Sequence, residues 1–181
     1  MRALLIVSYT LTIILAVVSM HFLPEQVATH FGAGGHADGW GARESNAMMF
    51  AGIQTSLFLL FAFLPCAIRH IPGQWINIPN REYWLAAERR EITQRMIAGL
   101  LDVYGTGFFV FMTGFFILVI RANLSTPVHL HEPTLFILLG IFLVFTAGWV
   151  VAFYRKFRSP SPDVRTWGDT GTGYGDDGFY R

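Results

Sequence analysis

Four stretches of this chain, residues 3–23, 47–68, 99–120 and 134–154, are each apolar over twenty residues or more. A helix rises ~1.5 Å per residue, so roughly 20 residues cross the ~30 Å hydrocarbon layer of a bilayer with every backbone group bonded internally. No feature constrains the fold more, because such runs cannot serve as the surface of a water-soluble domain. Composition agrees. Only 14% of the residues are charged and 53% are hydrophobic, against about 25% charged in an average soluble domain. The first run exceeds the ~7–15 apolar residues of a secretory signal core, so it reads as a membrane helix.

The expected fold is therefore an all-α integral membrane protein. It has four transmembrane helices, both termini cytoplasmic, a structured first outer loop and an interfacial inner helix. The orientation rests on Lys and Arg: eleven of the thirteen fall on the side of the termini, leaving Arg43 and Arg121 opposite. That asymmetry favours the cytoplasm for the richer side. Residues 1–158 form the membrane domain, and 159–181 a Pro- and Gly-rich cytoplasmic tail. A net charge of +1 gives no drive toward nucleic acid. Partners are instead the lipid bilayer, other subunits of a membrane complex, or an extracytoplasmic peptide or other ligand.

Small residues recur at helical spacing: Ser8, Thr12 and Ala16; Gly52 and Ser56; Gly107 and Gly114; Gly140 and Ala147. Such stripes let helix backbones approach where lipid supplies no hydrophobic drive for association. Asp102 is the only acid within the four spans. It sits near a helix end, within expected reach of Arg95 or water. No ionisable group lies near a span midpoint, where a pump or charged-solute carrier usually keeps one.

The first outer loop, 21–46, is expected to be folded. Pro24 can open a short helix and Gly32 close it. Asp38-Gly39 signals a turn, Trp40 suits the headgroup layer, and Ser45 or Asn46 can cap the second span. Gly34, Gly35 and Gly39 imply a positive φ or a close backbone approach. Pro24, His30, Phe31, Gly34, Gly35, His36, Asp38, Gly39 and Trp40 are the candidate recognition residues. Within them Pro24 and the glycines with Asp38 hold shape, while His30, His36 and Trp40 are presented. Gly32-x-Gly34-x-x-Ala37 mimics a dinucleotide fingerprint, but a loop between membrane helices offers no βαβ unit to seat it.

A first membrane helix followed by Pro24, His30-Phe31, Gly34-Gly35, Asp38-Gly39 and Trp40 resembles the bacterial domain of unknown function that opens SdpI-like membrane proteins. The resemblance covers about residues 4–60, roughly a third of the chain. It implies a multi-helix protein of the bacterial inner membrane; SdpI-like proteins act in immunity and signalling against a secreted peptide toxin. The stretch Asn77 to Arg90 is similar to the inner loop of short stand-alone members, and lacks the Gly-Tyr-Arg-Thr motif of the family's second half.

The second outer loop carries His129, His131 and Glu132. Alternate residues of an extended segment share a face, so both imidazoles could converge with His30, His36 and Asp38 on one zinc or copper ion. The alternative is that these are polar or pH-responsive surface groups. His131-Glu132 starts an apparent His-Glu-x-x-His, but position 135 is Leu and Pro133 interrupts the helix that motif needs. Cys66 has no His neighbour and no Gly-x-Ser-x-Gly is present, so no enzymatic nucleophile is legible.

In the inner loop Asn80 can cap a helix, Glu91 and Arg95 stand four apart, and Tyr83, Trp84, Arg89 and Arg90 suit the membrane interface or a docking face. Beyond Arg158 the segment is too glycine-rich to order itself. Its Trp167, Tyr174, Phe179 and Tyr180 are the expected anchors onto a neighbouring subunit. The expectation is a non-enzymatic protein with an extracytoplasmic recognition site built from two outer loops; the alternatives are an accessory subunit of a membrane complex or a metal-handling protein.

Overall fold

The computed structural model describes residues 1–158, the side chain of Arg69 apart. Helices α1 (Arg2–Ser19), α2 (Arg43–His70), α4 (Arg90–Asn123) and α5 (Glu132–Arg158) are each long and apolar enough to cross a bilayer, the mark of a multi-pass membrane protein. The single turn α3 (Arg81–Trp84) precedes α4. Strands β1 (Gln26–Phe31) and β2 (Ala37–Ala42) form an antiparallel hairpin between α1 and α2.

The bundle centres on α4. Helix α1 buries Leu5, Ser8, Thr12, Ala16 and Ser19, a spacing of three and four that lays one narrow stripe along its length. The hydroxyls cost nothing in this seam because they are bonded. Ser8 donates to Leu5 O, Thr12 to Ser8 O and Ser19 to Ala16 O, all at 2.8–3.0 Å. Thr12 also meets the hydroxyl of Thr113 on α4 at 2.7 Å. Close approach needs Gly105, where an added Cβ would come within 2.8 Å of Leu5. On the other flank Gly107 leaves room for the Phe145 ring and Gly114 for Leu138, while the Trp149 indole donates to Leu100 O at 2.8 Å.

Two of the four small-residue stripes behave differently. Gly52 and Ser56 are exposed on α2, and a Cβ added at Gly52 or Gly140 would meet no neighbouring group within 4 Å. Helix α5 buries only Phe157, so these stripes face the surroundings, as a lipid-facing surface does. Asp102 pairs with Arg2 and not with Arg95. Arg2 reaches it, Nη1 to Oδ1 at 3.2 Å, and also donates to Ala62 O at 2.7 Å, pinning α1, α2 and α4 at one end. Arg95 is held by Glu91 as its spacing suggests.

The expected short helix after Pro24 is a strand instead. Val27, Thr29 and Phe31 favour a pleated backbone, and the outcome is settled from elsewhere in the chain. Asn123, buried at the end of α4, accepts from Ala28 N at 2.6 Å and donates to Ala28 O at 3.2 Å, completing the free edge of β1 as a partner strand would. Neither Ser45 nor Asn46 caps α2, which starts earlier with Ala42 in the cap position and no side-chain cap bond.

The inner loop also departs from expectation. Asn80 occupies the cap position of α3 in the left-handed region, φ 52°, and makes no cap bond. Its amide instead donates to Phe157 O and Arg158 O. The interfacial inner helix is reduced to one turn, because α4 begins at Arg90 and takes up the rest of that segment. The tail, with Trp167, Tyr174, Phe179 and Tyr180, lies outside the described residues.

Candidate functional site

At the hairpin end of the bundle, two non-helical segments are joined into one body. The turn Ala33–Gly35 carries positive φ at Gly34 (79°) and Gly35 (75°), conformations that glycine adopts without steric cost. Gly35 also admits a neighbour: a Cβ there would overlap Leu130 O, and Leu130 N donates to Gly35 O at 2.8 Å. His36 forms a bridge with His129, their rings edge to face at 5.2 Å. His129 Nε2 donates to Gly34 O at 2.7 Å, and Glu132 accepts from Gly34 N at 2.8 Å. With the Asn123 clamp, these bonds fix the hairpin on the loop between α4 and α5.

The candidate recognition residues therefore separate into two sets. Gly34 and Gly35, bonded to His129, Leu130 and Glu132, hold the hairpin on that loop. Gly39 lets β2 pass His30, since a Cβ there would sit 2.9 Å from the His30 Cβ. His30 and Asp38 form the presented set: Nδ1 meets Oδ1 at 2.5 Å, with the two side chains 72% and 53% exposed. Trp40, two positions beyond Asp38 on β2, has 53% of its surface free, and His36 is exposed at the turn.

The six proposed metal ligands do not share a point. His30 faces Asp38, while His129 and Glu132 bind the Gly34 backbone. His131 Nδ1 is held by Thr134 in the first turn of α5, Oγ1 at 2.7 Å. Among the described residues no three His, Cys, Asp or Glu side chains gather as a ligand set.

Beneath the hairpin lies a groove of about 330 Å³. Thr29, His30 and Asn46 give it polar groups; Phe50, Ile53, Phe116 and Leu135 are among its apolar walls. That volume is within the usual range of small-ligand sites, which combine apolar walls with a few placed polar groups. At the opposite end, the inner-loop residues are spent within the chain. The Trp84 indole donates to Phe157 O at 2.8 Å, Thr93 donates to Trp84 O at 2.7 Å, and the Arg89 guanidinium lies 4.0 Å over the Tyr83 ring. Arg90 donates to Ile71 O. This cluster closes the end of α5.

Three residues that matter to this geometry carry no signal in the sequence. Asn123 looks like an ordinary helix-end polar residue. Arg121 looks like an interfacial anchor. Gln54 is fully buried in α2, and its amide nitrogen and oxygen have no partner among the described residues. A lone Gln within an apolar run says nothing of which way it points.

Residues 7–55, which span α1, the hairpin and the first turns of α2, match the family described as "Domain of unknown function (DUF1648)". No curated protein and no solved structure matches the chain.

Proposed function

We propose that the protein is a non-enzymatic, multi-pass protein of the bacterial inner membrane, with both termini cytoplasmic and its hairpin end facing outward. There, the hairpin and the loop joining α4 to α5 act as one extracytoplasmic recognition module, in the manner of SdpI-like proteins. One observation carries this reading. The fixed hairpin leaves His30, Asp38 and Trp40 exposed, and His30 also lines an apolar groove of about 330 Å³. Rigid support beneath exposed aromatic and charged groups lowers the ordering cost of binding. The ligand this favours has an apolar segment for the groove and a polar end for the His30–Asp38 pair.

The test uses full-length protein in detergent, with Cys66→Ser and an environment-sensitive fluorophore on Trp40→Cys. Hydrophobic peptides and amphiphiles are titrated in turn. A saturable spectral change is expected, lost when Ile53→Trp fills the groove. A response that survives Ile53→Trp unchanged would refute the groove as the binding site.

A second reading, an accessory subunit of a larger membrane complex, is favoured by the open faces of α5. A Cβ added at Gly140 or Gly148 would meet no neighbouring group within 4 Å, the kind of surface on which another membrane helix can pack closely. Native mass spectrometry after mild extraction separates the two readings.

A further inference from the structure

We propose that Arg121 and His131, with His129 beside them, form a binding site for a phosphate-bearing anion at the hairpin end of the bundle. A cavity of about 350 Å³ opens there, on residues of α4, the following loop and the start of α5. Its lining includes Arg121, Ser125, His129, His131 and Thr134, with Leu118 one helical turn deeper, and no carboxylate. Among the described residues, the Arg121 guanidinium has no hydrogen bond or ion pair. The other arginine at this end, Arg43, is committed to Leu23 O and Glu44.

The bonding around the histidines sets which atoms can donate. Thr134 N donates to His131 Nδ1 at 3.4 Å and the Thr134 hydroxyl lies 2.7 Å from the same atom. With Nδ1 accepting, the ring proton of His131 resides on Nε2, as an available donor. His129 Nε2 is used on Gly34 O, so His129 borders the cavity without offering that donor to an anion. Glu132, the nearest acid in sequence, is engaged with Gly34 N. The result is an uncompensated guanidinium fork and an imidazole N–H around one cavity. Phosphate oxygens match such a fork through paired, charge-assisted hydrogen bonds.

Two sources supply this chemistry: an anionic lipid headgroup, whose chain would run past Leu118, or free phosphate from the aqueous side. Basic pockets between membrane helices take phosphate headgroups by the same physics. The site is separate from the groove under the hairpin, so it stands or falls independently of the recognition reading.

The experiment uses the full chain reconstituted with equal phosphatidylglycerol and phosphatidylcholine, then stripped stepwise and weighed by native mass spectrometry. The wild type is expected to retain phosphatidylglycerol preferentially. Arg121→Gln should lower that retention about tenfold, as loss of a charge-assisted pair implies. His131→Gln keeps an acceptor for Thr134 but removes the ring donor, and should lower it several-fold. A parallel melt of lipid-free protein in inorganic phosphate distinguishes the sources: a rise in Tm that Arg121→Gln abolishes points to the soluble anion, and lipid retention without it to the headgroup. Circular dichroism and elution profile establish that each variant is folded, and Arg121→Lys, which keeps charge without the fork, should be intermediate. Equal retention of both lipids by the wild type together with no phosphate effect overturns the proposal. So does retention in Arg121→Gln and His131→Gln equal to wild type.

Discussion

Replacing Asn123 by Leu tests whether the hairpin owes its place to one side chain. The Asn123 amide makes three bonds, to Ala28 N at 2.6 Å, Ala28 O at 3.2 Å and Val119 O at 3.0 Å. Ala28 is fully buried, so neither of its backbone groups can turn to water. Leucine keeps the branched shape and leaves both orphaned. Each unsatisfied buried group costs about 1–3 kcal/mol, and the gain from burying an apolar side chain of that size is about 1.5–3 kcal/mol at most. The net loss expected is therefore about 1–3 kcal/mol, placed on the docking of β1 and not on the bundle. Local opening of the hairpin should rise by the corresponding factor, roughly 5- to 150-fold at about 1.4 kcal/mol per tenfold. Hydrogen exchange followed by mass spectrometry reads it directly: peptides covering 24–42 should exchange faster by that factor, and peptides from α1 and α4 should not. Asn123→Asp retains the acceptor for Ala28 N but sets a carboxylate against Ala28 O, so it should lie near Leu in effect. Wild-type exchange across 24–42 in Asn123→Leu would show that the clamp is incidental.

Three further outcomes follow from the geometry. Gly35→Ala meets both a left-handed backbone and Leu130 O; the strain alone is on the order of 1–2 kcal/mol, so a lower Tm and faster exchange at residues 33–36 and 129–131 are expected. Trp84→Phe keeps the ring contact with Phe157 but loses the indole bond to its carbonyl, worth about 1 kcal/mol; limited proteolysis should cut sooner near Phe157 while α4 stays protected. For the orientation, a cysteine at His36 in a Cys66→Ser background should react with an impermeant maleimide in intact cells, and one at Glu88 only after lysis; the reverse pattern would invert the proposed topology.

The four spans were legible because a long apolar run is a one-dimensional signal that needs no partner. The hairpin was not, because the stretch from Pro24 to Gly32 satisfies the start and stop signals of a short helix as well as the side-chain preferences of a strand. What distinguishes them is pairing with β2 and the clamp of Asn123, ninety-five positions away. The same limit applies to Asp102, whose partner Arg2 lies a hundred positions off. Small-residue spacing identified which faces are smooth but not which are covered: the Ser8–Thr12–Ala16 stripe is buried against α4, and the equally regular Gly52–Ser56 pair is bare. At the candidate site, the positive φ was readable from the glycines. The pairing of the histidines was not. His129 and His131 do alternate along an extended segment, but one is drawn to the backbone of Gly34 and the other to the first turn of α5.

The Asn123 clamp also has a bearing on the order in which the chain can settle. A ribosome delivers the N-terminal segment first, yet the edge of β1 is completed only once residue 123 is in place, and the turn at Gly34–Gly35 only once residues 129–132 follow. The inner turn waits longer still, since Asn80 and Trp84 close on carbonyls at the far end of α5. The hairpin and the inner turn are thus both finished by segments synthesised after them. Bilayer insertion can proceed span by span, because each helix satisfies its own backbone. The loops reach their final form last and nearly together, so a nascent chain halted before α5 would hold its first three spans without a competent hairpin or inner turn.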